Sequence, residues 1–118
     1  MRREDIVAYC LSKPGAWLDS PWGEGDNVAK VGDKIFCFYG GDRLAITVKN
    51  TREAISEWRD RFPDHAGPAA YLNKQLWNQV GLEGDGCPTA EDMRELIDDS
   101  YDLVVAGLPK SKRPIDGE

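Results

Sequence analysis

The sequence has few of the residues that support metal or redox chemistry. Its 118 residues include three cysteines, Cys10, Cys37 and Cys87, with no C-x-x-C pair, and one histidine, His65. An odd number of widely spaced cysteines argues against a disulfide framework. A lone histidine in a Pro/Gly loop, with no second ligand at helix or hairpin spacing, argues against a zinc site. We therefore expect no metal ion and no other cofactor.

Long apolar runs are also missing. No stretch approaches the roughly 20 residues needed to cross a bilayer. The N-terminal segment MRREDIVAYC has acidic residues where a secretory signal has its apolar region. With 41% hydrophobic and 31% charged residues, the composition is typical of a soluble globular protein. We expect a cytoplasmic protein without membrane contact, with one domain over residues 1–108 and a polar, flexible tail over 109–118.

No catalytic signature is present. Ser100 is not part of a G-x-S-x-G motif and has no neighbouring histidine, so a hydrogen bond back along its own helix is its expected role. Asp98, Asp99 and Asp102 share a helix face that the pattern predicts to be exposed. General acid–base catalysis needs a pocket that separates the pKa values of such carboxyls. The sequence therefore predicts no catalytic residue and a protein that is not an enzyme.

The negative charge is concentrated in one segment. The net charge is −6, and residues 81–102 contain eight acidic residues and one arginine, so the rest of the chain is close to neutral. A negative total speaks against strong general attraction to nucleic acid. The uneven distribution predicts an acidic final helix that faces away from a roughly neutral surface.

Apolar periodicity and turn signals predict three helices and five strands. The helices are expected at about 3–12, from Asn50 or Thr51 to Phe62, and from Thr89 to about Gly107. The strands are expected at NVAKV, KIFCFYG, LAITVK, about 69–72 and about 76–82.

Turns and loops complete this expected architecture. Gly32-Asp33 and Asn73-Lys74 are the predicted hairpin turns, and segment 16–27, with Trp17 and Trp22, is a predicted loop. The resulting fold class is α+β. We expect two layers, an antiparallel five-stranded sheet with helices on one face, in the order α-β3-α-β2-α.

Several motifs together resemble a known family. The segments LSKPGA, VGDKIF, NKQLWNQV and ELIDDSYDLVVAGLPK, in this order, are similar to those of the MmcQ/YjbR family of small bacterial proteins. The resemblance covers about residues 2–113. It implies a secretion-chaperone-like fold and DNA binding through a double-wing arrangement of hairpins.

The resemblance also implies candidate site residues. Candidate nucleic-acid contacts are Lys49, Asn73, Lys74 and Lys110. Trp77 and Tyr101 are candidate structural or stacking residues, and Trp77 is expected either in the core or as an exposed platform for a base. The chain departs from the family at positions 75–76, which are Gln-Leu where members often have Arg-His. This departure removes positive charge from the site that would contact phosphate.

Three functional hypotheses follow. The leading one is a non-enzymatic DNA-binding protein with weak, salt-sensitive contacts. The alternative is a protein–protein interaction module that uses an uncovered sheet face or edge, or that offers the acidic helix to a basic partner. A small-molecule-binding protein or enzyme with a pocket near Trp17, Trp22 and Trp77 is the third.

Overall fold

The computed structural model describes residues 1–21, 23, 27–40 and 44–114. The described elements are α1 (Arg3–Leu11), β1 (Ala16–Asp19), β2 (Val28–Val31), β3 (Lys34–Phe38), β4 (Ala45–Lys49), α2 (Arg52–Arg61), β5 (Ala66–Gly67), β6 (Trp77–Gly81), α3 (Ala90–Ala106) and a 3-10 turn (Lys110–Lys112). The strands form one antiparallel sheet in the order β1-β2-β3-β4-β6-β5. The predicted α+β class with an antiparallel sheet is confirmed.

The predicted strand count is wrong, because the sheet has six strands rather than five. The additional strand is β1, which lies in the segment predicted as a loop and pairs with β2. It is a short edge strand whose central residues Trp17 and Leu18 are exposed, so it has no buried alternation for a sequence pattern to detect. The element order is therefore α-β4-α-β2-α. Trp22, also in the predicted loop, lies outside the described residues.

The predicted hairpin at 69–82 is only half correct. β6 begins at Trp77 as expected, but its partner is the two-residue β5, and residues 69–72 are not a strand. Tyr71 is exposed and has a φ of 66°, a left-handed conformation that ends any extended run. The Asn73 side chain accepts a hydrogen bond from the Gln75 amide at 2.9 Å, a local turn that competes with strand pairing.

The helix starts agree with their sequence signals. The Thr51 hydroxyl accepts from the Ala54 amide at 3.2 Å. At α3, Thr89 and Asp92 form a reciprocal capping box. Side-chain contacts then join the helices: the Tyr9 hydroxyl of α1 donates to Asp98 of α3 at 2.7 Å, and Arg61 of α2 pairs with Asp92. These contacts join both shorter helices to α3.

The core lies between α3 and the central strands. Its largest fully buried side chains include Phe36, Ile46, Val48, Val80, Met93, Leu96 and Ile97. These residues match the apolar stripe predicted for the last helix and the alternation predicted for β4. Burying side chains of this size stabilises the fold by about 1.5–3 kcal/mol each.

A β-bulge interrupts β3. Ala29 lies opposite Cys37 while Lys30 lies opposite Ile35, so Phe36 is the extra residue. A bulge turns neighbouring side chains toward the same face, which explains why both Phe36 and Cys37 are fully buried. The bulge lies next to the last residue of β4, Lys49, and the regular pairing of β3 with β4 stops at Cys37 and Val48.

The C-terminal segment packs back on the domain. Arg113 donates to the carbonyl oxygens of Leu108 and Ala106, both at 2.9 Å, and so binds acceptors at the end of α3. Pro114 lies against Gly15. Residues of the predicted tail over 109–118 thus contact the rest of the chain up to Pro114, while residues 115–118 lie outside the described range. Over the ranges that the structure describes, no helix has the length and apolarity to cross a membrane.

Candidate nucleic-acid interface

Lysines from three neighbouring strands converge at one end of the sheet. Lys30 of β2, Lys34 of β3 and Lys49 of β4 line a groove of about 420 Å³ together with Phe38 and Trp77. We call these five residues the lysine groove. The antiparallel pairing of β4 with β6 places Lys49 directly opposite Trp77, which brings a cation and an aromatic ring to the same face.

The two aromatic rings of the lysine groove pack against each other. Phe38 and Trp77 are edge-to-face, with centroids 5.6 Å apart and planes at 75°. Both are half-buried, and Trp77 is not part of the buried core cluster. Trp77 is therefore neither fully buried nor fully exposed, and both of its expected roles stay predictions.

The positive charge of the groove is only partly compensated. Lys30 pairs with Asp19 at 2.7 Å and lies over the Trp17 ring, 5.2 Å from its centroid. The hydrogen bond from Lys30 lowers the pKa of Asp19 below its usual value. In the described part of the chain, no ion pair involves Lys34 or Lys49. These two ammonium groups share the lining of the groove with the carboxylate of Asp33, which lies next to Lys34 in the chain.

The other candidate contacts lie outside the lysine groove. Asn73 and Lys74 are exposed in the turn before β6, and Arg59 donates to the Lys74 carbonyl at 2.8 Å. Lys110 is exposed and begins the 3-10 turn three residues after Gly107, which borders the groove. The structure thus brings Lys49 and Trp77 together, with Lys110 at the same end of the molecule.

Tyr101 has a structural role. It is buried, its ring is edge-to-face with Phe36 at 5.3 Å, and its hydroxyl donates to the Pro14 carbonyl at 2.6 Å. Tyr101 therefore joins α3 both to the sheet and to the segment after α1. It lies too deep to stack on a ligand.

Sequence reasoning missed three residues of the groove, Lys30, Lys34 and Phe38. A signal for the two lysines existed, because they flank the predicted Gly32-Asp33 turn and a hairpin places such residues on adjacent strands. Phe38 had no such signal. Its position beside Trp77 depends on β4 lying between β3 and β6, a long-range order that no local pattern encodes.

The acidic face of α3 is closer to the groove than expected. Asp99 and Asp102 line a second groove that also includes Thr51, the cap of α2. Leu103 borders both grooves, so carboxylates lie next to the strand end that carries Lys49. The predicted separation between an acidic back and a neutral front is therefore incomplete at this end of the sheet.

An apolar groove lies beside α1. It has a volume of about 1010 Å³, and its apolar lining is formed by Val7, Leu11, Tyr39, Leu44 and Leu82. Leu11 and Leu44 are each 46% exposed. Across residues 1–21, 23, 27–40 and 44–114, no group of three or more His, Cys, Asp or Glu side chains is placed to hold a metal ion.

Comparison with known proteins identifies the family. The family model described as YjbR matches residues 11–103, most of the chain. The chain belongs to the YjbR family. The resemblance noted in the motifs is thereby confirmed.

Two solved structures are similar to this YjbR-family protein. The Deinococcus radiodurans protein DR2400, described by its DUF419 domain, is 28% identical with a TM-score of 0.82, covering 97% of this chain and 91% of its own. A Pseudomonas syringae protein is 26% identical with a TM-score of 0.68, covering 87% and 98% respectively. No curated protein matches this chain.

Proposed function

We propose that this YjbR-family protein is a non-enzymatic DNA-binding protein that contacts a DNA strand through the lysine groove. The observation that carries the proposal is the position of the Lys34 and Lys49 ammonium groups, which form no ion pair with the described residues, beside the half-buried Trp77. Cations that track phosphates next to an aromatic side chain on which a base can stack are the usual components of a single-strand binding site.

The shape of the groove favours a single strand over a duplex. A volume of about 420 Å³ is suited to one small group of nucleotide size, and both aromatic side chains line it. Stacking one base on an aromatic ring is worth about 1–3 kcal/mol, and a paired, stacked base offers no free face for it. The family resemblance implies two hairpin wings. The β2–β3 hairpin borders the groove, whereas residues 69–72, expected as a strand of the hairpin at 69–82, form no strand.

The number of cations limits the affinity. If Lys34, Lys49 and a third lysine each neutralise one phosphate, the affinity for a single strand falls as about the 2.1 power of salt concentration. Raising the salt from about 50 to about 200 mM then weakens binding roughly 18-fold, or roughly 7-fold if only two phosphates are contacted. The Asp33 carboxylate in the same lining and the carboxylates of the neighbouring groove oppose tighter binding. We therefore expect weak, salt-sensitive DNA binding.

The test is fluorescence anisotropy of a labelled strand of roughly 12 nucleotides, and of its duplex, at these two salt concentrations. Lys34→Gln and Lys49→Gln should each weaken single-strand binding and lower the salt slope by about 0.7. Lys74→Gln is the control, because Lys74 is exposed, as Lys34 is, but lies outside the groove. Absence of binding at high micromolar protein, or equal losses for all three variants, would refute the proposal.

The interaction-module hypothesis is the second candidate and is favoured by the exposed Leu11 and Leu44 beside α1. The two hypotheses use opposite ends of the sheet, because β4 begins next to Leu44 and ends at Lys49. A double Leu11→Ser, Leu44→Ser variant should leave DNA binding unchanged if the lysine groove is the functional site. Lost DNA binding in this variant, with the fold intact, would instead assign the DNA contact to the groove beside α1 and refute the lysine groove as the site.

A further inference from the structure

A carboxylate shares the lining of the lysine groove. Asp33, in the turn between β2 and β3, lines the same cavity as Lys34, Lys49 and Trp77. The residue is exposed, so a ligand in the groove can reach its side chain. Among the described residues, no ion pair involves Asp33. A carboxylate repels phosphate, so in a groove that binds DNA it suits a part of the strand other than the backbone.

The turn that carries Asp33 is held in place by two contacts. The indole Nε1 of Trp17 donates to the carbonyl of Gly32, the preceding residue, at 2.9 Å. Gly32 also packs so closely on Leu108 that a Cβ atom on it would lie 3.2 Å from that side chain. The backbone that positions Asp33 is therefore already ordered before a ligand binds, and an ordered group loses little conformational freedom on binding.

A nucleic-acid base has a flat face and a polar edge, and the groove has surfaces for both. The rings of Phe38 and Trp77 suit the face of a base. Aliphatic atoms extend this surface and come from Ile35, Leu103 and Val104. In the described part of the lining, the carboxylate of Asp33 is the one anionic side chain. It is therefore the group in the groove that suits donors on the edge of the base.

The donors on the Watson–Crick edge select one base. A carboxylate has two acceptor oxygens and no donor. Guanine presents two adjacent donors, N1–H and N2–H₂, which match both oxygens in a pair of charge-assisted hydrogen bonds. In adenine and cytosine the exocyclic amine lies beside a ring nitrogen that is an acceptor. In thymine the N3–H lies between two carbonyl oxygens. Each of these three bases would set an acceptor against one carboxylate oxygen.

We propose that Asp33 recognises an unpaired guanine in the strand that the lysine groove binds, accepting from N1–H and N2–H₂ while the base contacts Trp77. This inference rests on the proposed DNA binding and adds a base preference to it. Because Watson–Crick pairing occupies the same edge of guanine, a base in a duplex cannot make this contact. The lysines bind the backbone of any strand, and Asp33 distinguishes one base from another.

The test uses strands that contain a single base. The probes are labelled strands of about seven nucleotides in which stable abasic units flank one central base, titrated by anisotropy at about 50 mM salt. Adenine is the reference, because it is a purine of similar stacking area. Guanine should bind about fivefold more tightly than adenine, the low end of the range for a bidentate base contact, because Asp33 is exposed. Hypoxanthine lacks the N2 amine and should bind only about twofold more tightly than adenine.

Asp33→Asn tests the residue itself. An amide has one acceptor and one donor group, so it cannot accept from both guanine donors, and the preference over adenine should fall below about twofold. The adenine strand should bind more tightly than before, because a charge that repels phosphate is lost. Asparagine is common in turns, so the hairpin should be preserved. Asp85→Asn, in an exposed loop outside the groove, is the control and should change neither affinity nor preference.

The outcomes separate this inference from the DNA proposal. Lysine-dependent binding with equal affinity for guanine and adenine, or a guanine preference that Asp33→Asn leaves unchanged, would overturn the guanine contact alone. Absence of binding by every strand at high micromolar protein would overturn both. Free dGMP should displace the guanine strand only at much higher concentration, because it has fewer phosphates to contact. Displacement at equal concentration would identify a free guanine nucleotide as the ligand and refute recognition within a strand.

Discussion

The Ser100 hydroxyl donates a hydrogen bond of 2.6 Å to the Phe36 carbonyl, although the two residues lie on a helix and on a strand. The same hydroxyl accepts from the Lys49 amide at 2.8 Å. The pairing of β3 with β4 runs through Cys37 opposite Val48, so Phe36 and Lys49 are the next positions along the ladder. Ser100 therefore replaces a direct strand-to-strand bond, and its expected bond along its own helix is wrong.

This bridge has a consequence for the lysine groove. Because Ser100 holds the backbone of Lys49 away from direct pairing with β3, the end of β4 is separated from β3 where the groove lies. The hydroxyl thus satisfies the two backbone groups that this separation exposes. Ser100, which is not part of any catalytic motif in the sequence, therefore helps to position the lysine groove.

Replacing Ser100 with alanine should destabilise the protein by about 1–3 kcal/mol, because a buried carbonyl and a buried amide both lose their partner. Urea denaturation followed by circular dichroism measures the change. Ser56→Ala, at an exposed position on α2, is the control and should change stability by less than about 0.5 kcal/mol. Equal stability of the Ser100 and Ser56 variants would show that the bridge contributes nothing.

Arg59 should not be replaceable by lysine. Its guanidinium donates to Asn78 Oδ1 and to the carbonyls of Lys74 and Trp77, and lysine cannot reproduce this forked geometry. We expect Arg59→Lys to cost about 1–3 kcal/mol. It should also perturb the Trp77 indole signal, because the turn before β6 loses its anchor.

The control for this prediction is Arg52→Lys, an exposed position at the start of α2. It should leave both stability and the Trp77 signal near their original values. If Arg59→Lys behaves in the same way, the network around Asn78 is not what holds the turn.

The elements that local patterns encode were predictable from the sequence. The helix caps at Thr51 and Thr89, the turn at Gly32-Asp33 and the start of β6 at Trp77 each rest on residues within a few positions of one another. The edge strand β1 was missed because pairing with β2, rather than burial of its own side chains, defines it.

The candidate site was less predictable than the fold. Lys49 and Trp77 were identified through the family resemblance, but their contact with Phe38 follows from strand order. The hydrogen-bond chain from Arg59 through Asn78 to Asn50 joins α2, β6 and the end of β4, and no spacing in the sequence reveals it. Long-range polar contacts of this kind are fixed only once the layers have packed.

Gly32 should tolerate no side chain. Its φ is +60°, and a Cβ atom there would lie 3.2 Å from Leu108, which is buried. A left-handed conformation costs a non-glycine residue about 1–2 kcal/mol, and crowding of Leu108 adds to that cost. We expect Gly32→Ala to lower the free energy of unfolding by at least about 1–2 kcal/mol, as measured by urea denaturation.

Gly67→Ala is the matched control for Gly32→Ala. No atom lies within 4 Å of the Cβ position at Gly67, and its φ is not positive. The substitution should therefore change stability little. Similar losses at both glycines would mean that removing glycine as such, rather than the turn at Gly32, is responsible.

Asp99 should make stability decrease as the pH rises. Partial desolvation of its carboxyl against the protein raises its pKa, although the residue as a whole is exposed, and repulsion from Glu95, Asp102 and Asp98 raises it further. The folded protein therefore holds the proton more tightly than the unfolded chain. Below the unfolded pKa of about 3.9, Asp99 is protonated in both states and does not reduce the free energy of unfolding. As the pH rises through the elevated folded pKa, ionisation of Asp99 reduces the free energy of unfolding to its full extent.

Asp99→Asn should accordingly stabilise the protein at neutral pH and have no such effect below about pH 4. Because Asp99 is exposed and water screens its interactions, the gain should be only about 0.2–0.5 kcal/mol, the scale of one like-charge pair on a helix surface. Paired urea melts at acidic and neutral pH measure it, with Asp85→Asn in an exposed loop as the control. The gain should shrink in about 1 M salt, which screens Glu95 and Asp102. A stabilisation that is independent of both pH and salt would instead point to a change in packing or helix propensity.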